Sequence, residues 1–259
     1  MPDTDGDETN NCPPSKYVRI ENGPVSAVQD VDLAYDYSGA TYDYYKSNFK
    51  RDSIDNKGMP LISLVRYCPD SDPKNCPFQN AFWDGQQMTY GDSFASADDV
   101  VGHELTHGVT EHTSGLFYYF QAGAINESMS DIFGELIDLT DQQGNDAANV
   151  RWLMGEDLPY DSSQTPNGAI RNMADPHAFS QPDRMTDTIY EPDNYFQDNG
   201  GVHTNSGVSN KAAFLMADGG SFNGYTIRGL GLDKMGQIYY RTNTAFLTSG
   251  SDYQDLGDD

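Results

Sequence analysis

The chain is poor in basic residues. Lysine and arginine number 15 against 40 acidic residues, for a net charge of −25. So negative a surface repels phosphate backbones, and no nucleic-acid partner is expected. Long apolar runs are missing too. No stretch approaches the ~20 apolar residues needed to span a bilayer, so no membrane partner is expected. Cysteine is scarce: Cys12, Cys68 and Cys76 only, without CxxC spacing, a weak signal for a cysteine metal site. The opening "MPDTDGDETNNCPP" lacks the basic region and apolar run of a secretory leader. If the protein is exported, its leader lies outside this chain.

What is present argues for a folded protein. Aromatic residues make up 12%, with 17 tyrosines, whereas disordered chains are aromatic-poor. At 259 residues the chain can build one large domain or two smaller ones. The acidity has two readings: a secreted protein kept soluble by charge, or a surface suited to high salt, where screening relieves self-repulsion. Carboxylates also suit calcium. Cys68 and Cys76 bracket "CPDSDPKNC", a short loop that suits a local disulfide and hence an oxidising compartment; two free thiols are the alternative.

Along the chain, residues 1–24 read as a flexible acidic tail. A helix is expected after Val25, a strand in "MPLISLVRYC", and strand, turn and strand in "NAFWDGQQMTYGD" with Asp84-Gly85 at the turn. Helical spacing then takes over at 97–114, 122–139, 206–217 and 232–246. The order is α+β, a strand-rich first third followed by helices.

The stretch "VVGHELTHGV" carries the chemistry. His103 and His107 are four residues apart and share one helix face, a spacing that lets two imidazoles bind one zinc ion. Glu104 is rotated ~100° from His103, poor as a ligand but well placed to take a proton from a water held by the ion. Two histidines on a helix are as often structural, so a third ligand decides. Glu127 follows His107 by 20 residues, room for a turn and a returning helix, and Asp131 lies one turn further on. The alternative for both acids is a solvated face.

"HELTH", "GAINESMSDIFGE" and "DNGGVHTNSGVSNKAAFL", in that order, resemble the thermolysin-like family of zinc endopeptidases over about Val25 to Leu256, closest in wording to secreted actinobacterial members. The resemblance implies two lobes, 25–117 and 118–259, with the HELTH helix between a strand-rich lobe and a helical one. It implies zinc on His103, His107 and Glu127, with Glu104 as general base. Asp131 and Asn126 would support the two histidines. His203, oriented by Asp198, and Tyr118 would stabilise the oxyanion. Arg171 would bind a substrate carbonyl, and Asn80 and Ala81 would pair with substrate backbone. Val100, Met154, Leu158 and Ile170 would line an apolar pocket favouring cleavage before Leu or Phe. Asp99, Asp138 and Glu156 would hold calcium, while Leu153 stands where a carboxylate would bridge a second ion. His112 and His177 match no functional position.

The expected protein is a secreted, monomeric zinc endopeptidase acting on proteins or peptides, with structural calcium. The chain also reads as short at both ends, without its propeptide. Two rivals stay open: a zinc-binding but inactive truncated remnant, and an acidic calcium-binding module.

Overall fold

The computed structural model describes residues 16–69, 74, 76–145, 147–159, 168–192 and 196–258. Cys12 and most of the expected tail lie outside them. Arg19, within that tail, is fastened to the first helix. Its guanidinium pairs with Asp32 at 2.9 Å and Asp36 at 3.0 Å.

Helix α1 spans Gln29–Phe49. Three short strands follow, β1 (Ser63–Leu64), β2 (Ala81–Trp83) and β3 (Met88–Tyr90). They form one sheet in the order β1-β3-β2, with β1 parallel and β2 antiparallel to the central strand. The apolar run at 59–68 pairs over only two residues. Arg66 takes a left-handed φ of 58° and ends the strand, while its side chain reaches Asp30 at 2.7 Å. Asp84 and Gly85 make the expected turn, with Gly85 at φ 93° and the Asp84 carboxylate accepting the Gln86 and Gln87 amides. Cys68 and Cys76 are joined in a disulfide.

The centre is a helix pair, α2 (Asp98–Glu111) and α3 (Phe120–Asp141). They approach closely because glycine faces glycine. A Cβ on Gly102 would meet the Gly134 Cα at 3.1 Å, and one on Gly134 would meet the Asp99 carbonyl oxygen at 2.5 Å. Helix α2 also separates two cores. Val100, Val101 and Leu105 pack with the sheet and with Ala34 and Tyr37 of α1. Val109 packs instead with Ile125, Met129 and Phe133 of α3 and the helices beyond. That is the two-lobe arrangement, with the HELTH helix shared between them.

Beyond α3 come the pair β4 (Leu153–Met154) and β5 (Arg171–Asn172), then α4 (Asp198–Asn205), α5 (Gly207–Asp218), the hairpin β6 (Gly219–Phe222) and β7 (Tyr225–Arg228), α6 (Leu232–Arg241) and α7 (Tyr253–Asp258). The expected helix over 232–246 changes to a π-turn at Thr242–Phe246. This turn presents Asn243, which accepts from Ser114 Oγ at 2.6 Å and donates to Thr110 Oγ1 at 3.0 Å, gripping the end of α2. No helix among the described residues is long and apolar enough to cross a membrane.

Candidate active site

The close approach of α2 and α3 brings three donors to one point. His103 Nε2 and His107 Nε2 lie 2.9 Å apart. From α3, Glu127 Oε2 is 3.6 Å from the first and Oε1 3.4 Å from the second. Ligands ~2 Å from a tetrahedral ion are themselves separated by roughly 3.3 Å, so this trio fits zinc with little adjustment. Glu127 is 1% exposed, and its Oε2 has no hydrogen-bond partner among the described residues. A buried carboxylate oxygen left so is costly unless a cation takes it. Burial pushes the Glu127 carboxyl up, but the imidazoles of His203, His107 and His103 hold it well below the usual carboxylate range.

The outer face of each ligand is held as well. Asp131 Oδ1 lies 2.8 Å from His103 Nδ1. Asn126 Oδ1 lies 2.8 Å from His107 Nδ1, and its amide nitrogen donates to the Leu116 carbonyl. With Nδ1 engaged, each imidazole turns Nε2 toward the trio's centre. Asp131 has two further partners that the motif does not reveal: Arg171, at 2.5 and 2.8 Å, and Asn210, at 2.7 Å. Although burial raises it, Arg171 and His103 bring the Asp131 carboxyl down to about 2.

Across the trio stand Tyr118 and His203. The Tyr118 hydroxyl donates to Glu127 Oε1 and lies 3.1 Å from His203 Nε2. His203 Nδ1 is 2.5 Å from Asp198 Oδ1, and its backbone N–H donates to Asp198 Oδ2 at 2.9 Å. The "DNGG" run makes this closure possible. Asp198, Asn199, Gly200 and Gly201 all have positive φ, the last two at 91° and 78°. Side chains rarely tolerate that region, and two glycines supply it. Gln181, not singled out from sequence, donates to the His203 carbonyl at 2.6 Å and fixes the loop from behind.

Glu104 is 6% exposed and lines the same cleft as the trio. One cleft wall is β2, at the sheet's edge, with Ala81 on it and Asn80 just before it. Val100, Ile170 and Arg171 also line the cleft. Met154 and Leu158 are buried and stand outside its lining, with Leu158 next to Ile170 across Gly155.

Under the helix pair lies a second set of acids. Asp99, Asp138 and Glu156 are all buried, and Asp99 Oδ2 accepts the Gly155 N–H beside Glu156. They are not among the groups of described residues whose ligand atoms all lie within 4.8 Å of one another, unlike His103, His107 and Glu127. Burial, then neighbouring carboxylates, push Glu156 up to about 10. Burial also pushes Asp99 up to about 7, against its backbone hydrogen bonds. Asp98, raised by burial and Asp99, reaches about 8. Glu135, unnoticed in the sequence, is fully buried among them and shifted well up by burial and by Asp138.

Comparison with known proteins agrees with this geometry. Residues 7–111 match the thermolysin metallopeptidase catalytic domain, and residues 114–259 match the thermolysin metallopeptidase alpha-helical domain. A zinc metalloproteinase of Renibacterium salmoninarum is 41% identical, over 94% of this chain and 45% of its own length. Bacillolysin of Bacillus cereus is 44% identical, over 86% and 37%. An extracellular elastase of Staphylococcus epidermidis is also 44% identical, over 87% and 40%. The chain thus spans less than half the length of these relatives. Among solved structures, the precursor of protealysin, a metalloproteinase from Serratia proteamaculans, superposes with a TM-score of 0.75 at 39% identity, covering 93% of this chain and 74% of that one. The two histidines and the glutamate between α2 and α3, Asp131 and Asn126 behind the two imidazoles, and both family matches lead to one assignment: the chain belongs to the thermolysin metallopeptidase family.

Proposed function

We propose that this protein is a secreted, monomeric zinc endopeptidase that hydrolyses peptide bonds in proteins, favouring a large apolar residue after the cleaved bond. The observation that carries the reading is the meeting of His103, His107 and Glu127 in a cleft that Glu104 also lines. Zinc held by that trio supplies Lewis-acid chemistry, acidifying water and polarising a carbonyl. Glu104 accepts the proton of the attacking water and passes it to the departing amine nitrogen. His203, oriented by Asp198, and Tyr118 donate to the developing oxyanion.

An extended substrate adds to the edge of β2 at Asn80 and Ala81. Arg171 binds its carbonyl, and Val100 and Ile170 receive the apolar side chain, with Met154 and Leu158 as packing behind them. The Cys68–Cys76 disulfide supports an oxidising, extracellular setting. Calcium on Asp99, Asp138 and Glu156, with Glu135 beside them, accounts for so much buried like charge. The division into lobes at 117/118 is supported by the two cores that meet at α2.

The test is casein hydrolysis by the purified chain in calcium, with and without a zinc chelator, beside Glu104→Gln. Chelation abolishes hydrolysis, and the variant keeps the zinc of the cleft while losing about 10²–10⁴-fold in rate. Hydrolysis indifferent to chelation, or a fully active variant, would sink the proposal.

A further inference from the structure

We propose that His177, Asp183 and Asp187 form a second metal site, outside the cleft, for a divalent first-row transition ion of the zinc class. Among the described residues, only this group and the trio of the cleft bring three His, Cys, Asp or Glu ligand atoms within 4.8 Å of one another. His177 sits in a short 3-10 turn, Pro176–Phe179, and the two aspartates follow in the next loop. His177 Nε2 is 2.6 Å from Asp187 Oδ2, sharing a proton that a cation can replace. The Asp183 and Asp187 side chains are only 13% and 10% exposed, whereas His177 is 45% exposed and gives an ion its way in.

The loop is built before any ion arrives. Gln181 N–H donates to the Pro176 carbonyl at 3.0 Å, Asp187 N–H to the Arg184 carbonyl at 3.1 Å, and the Gln181 side chain to the His203 carbonyl. Arg184 Nε lies 2.8 Å from Asp183 Oδ1. The arginine is itself anchored on the β6–β7 hairpin by a 2.6 Å bond to Asn223 Oδ1, and it orients the carboxylate as outer partners of metal ligands do. One imidazole and two carboxylates favour a transition ion over calcium or magnesium, which prefer all-oxygen sites. Three protein ligands leave the coordination open to solvent, so this site binds more weakly than a closed four-ligand one. Occupancy stiffens the loop that Gln181 ties to the back of His203.

The zinc content of the full chain decides it, after dialysis against micromolar zinc with millimolar calcium present to fill all-carboxylate sites. The wild type holds two equivalents. His107→Ala keeps the loop ion, and His177→Ala and Asp187→Asn keep the cleft ion, each variant holding one. His177→Ala weakens the second equivalent at least tenfold, and zinc beyond the first equivalent raises Tm in the wild type but not in that variant. A wild type with one equivalent, lost in His107→Ala, overturns the site. So does a second equivalent that survives both His177→Ala and Asp187→Asn. Were the cleft reading wrong instead, His107→Ala would change nothing while His177→Ala still removed one ion.

Discussion

Two groups of buried carboxylates flank helix α2, and they behave in opposite ways. Around the trio of the cleft, Glu127 and Asp131 are held below the ordinary range, Asp131 at about 2. One turn before His103, Asp99 is pushed up to about 7, and beside it Asp98 reaches about 8 and Glu156 about 10. Burial raises every one of them. The difference is company: imidazoles and the Arg171 guanidinium on one side, mostly other carboxylates on the other. The first group is compensated within the protein, whereas the second needs protons or a cation from outside.

The largest effect should come from removing the compensation. Arg171→Met leaves Asp131 buried without its guanidinium and should cost about 3–5 kcal/mol in chemical denaturation. A variant as stable as the wild type would show that Arg171 adds nothing there. Next, Asp131→Asn keeps the shape but removes the charge behind His103, and zinc affinity should drop about 10–100-fold by competition with a chelating dye. An unchanged affinity would mean that the histidine is oriented by other contacts.

The acid group should show a pH dependence. Unfolded Asp and Glu ionise near pH 4, but the folded protein retains protons on Asp99, Asp98 and Glu156 up to about pH 7, 8 and 10. The folded state binds more protons across that window, so stability falls as pH rises from about 4 through 8 with calcium chelated. Saturating calcium should flatten the slope, and melting curves at a series of pH values would read it. A slope indifferent to calcium would break the contrast.

The smallest effect is a change of sign. Glu135→Gln replaces a carboxyl that the calcium-free fold must keep protonated, so it should stabilise the chelated protein and destabilise the calcium-loaded one, each by about 0.5–3 kcal/mol. The same sign in both states would place Glu135 outside calcium's reach.

Much of this was legible because it is local. A spacing of four on a helix puts His103 and His107 on one face whatever surrounds them, and α2 and α3 lie within a few residues of their expected bounds. Asp84-Gly85 made its turn by the same local logic. The hairpin at 219–228 carries a local signal too, the Asn223-Gly224 pair at φ 50° and 83°, a turn dipeptide between two short strands. The apolar run at 59–68 forms a strand of only two residues because pairing, not apolarity, sets its length. Arg66 turned away toward Asp30, and nothing in the run of side chains foretold that choice.

By itself, then, the sequence determined that His103 and His107 share one helix face with Glu104 beside them, because motif spacing and helix pitch are properties of adjacent residues. It also determined the close contact of α2 and α3, because only glycine at 102 and 134 lets two backbones come so near. The long-range partners of these carboxylates were decided by the tertiary structure. Arg171 and Asn210 reach Asp131 from 40 and 79 residues away, and Glu135, one helix turn from Asp138, meets Asp99 and the Trp152 N–H only when the chain packs. A carboxylate's charge depends on what lies within a few ångströms of it, and that distance is set by the fold rather than by the order of residues.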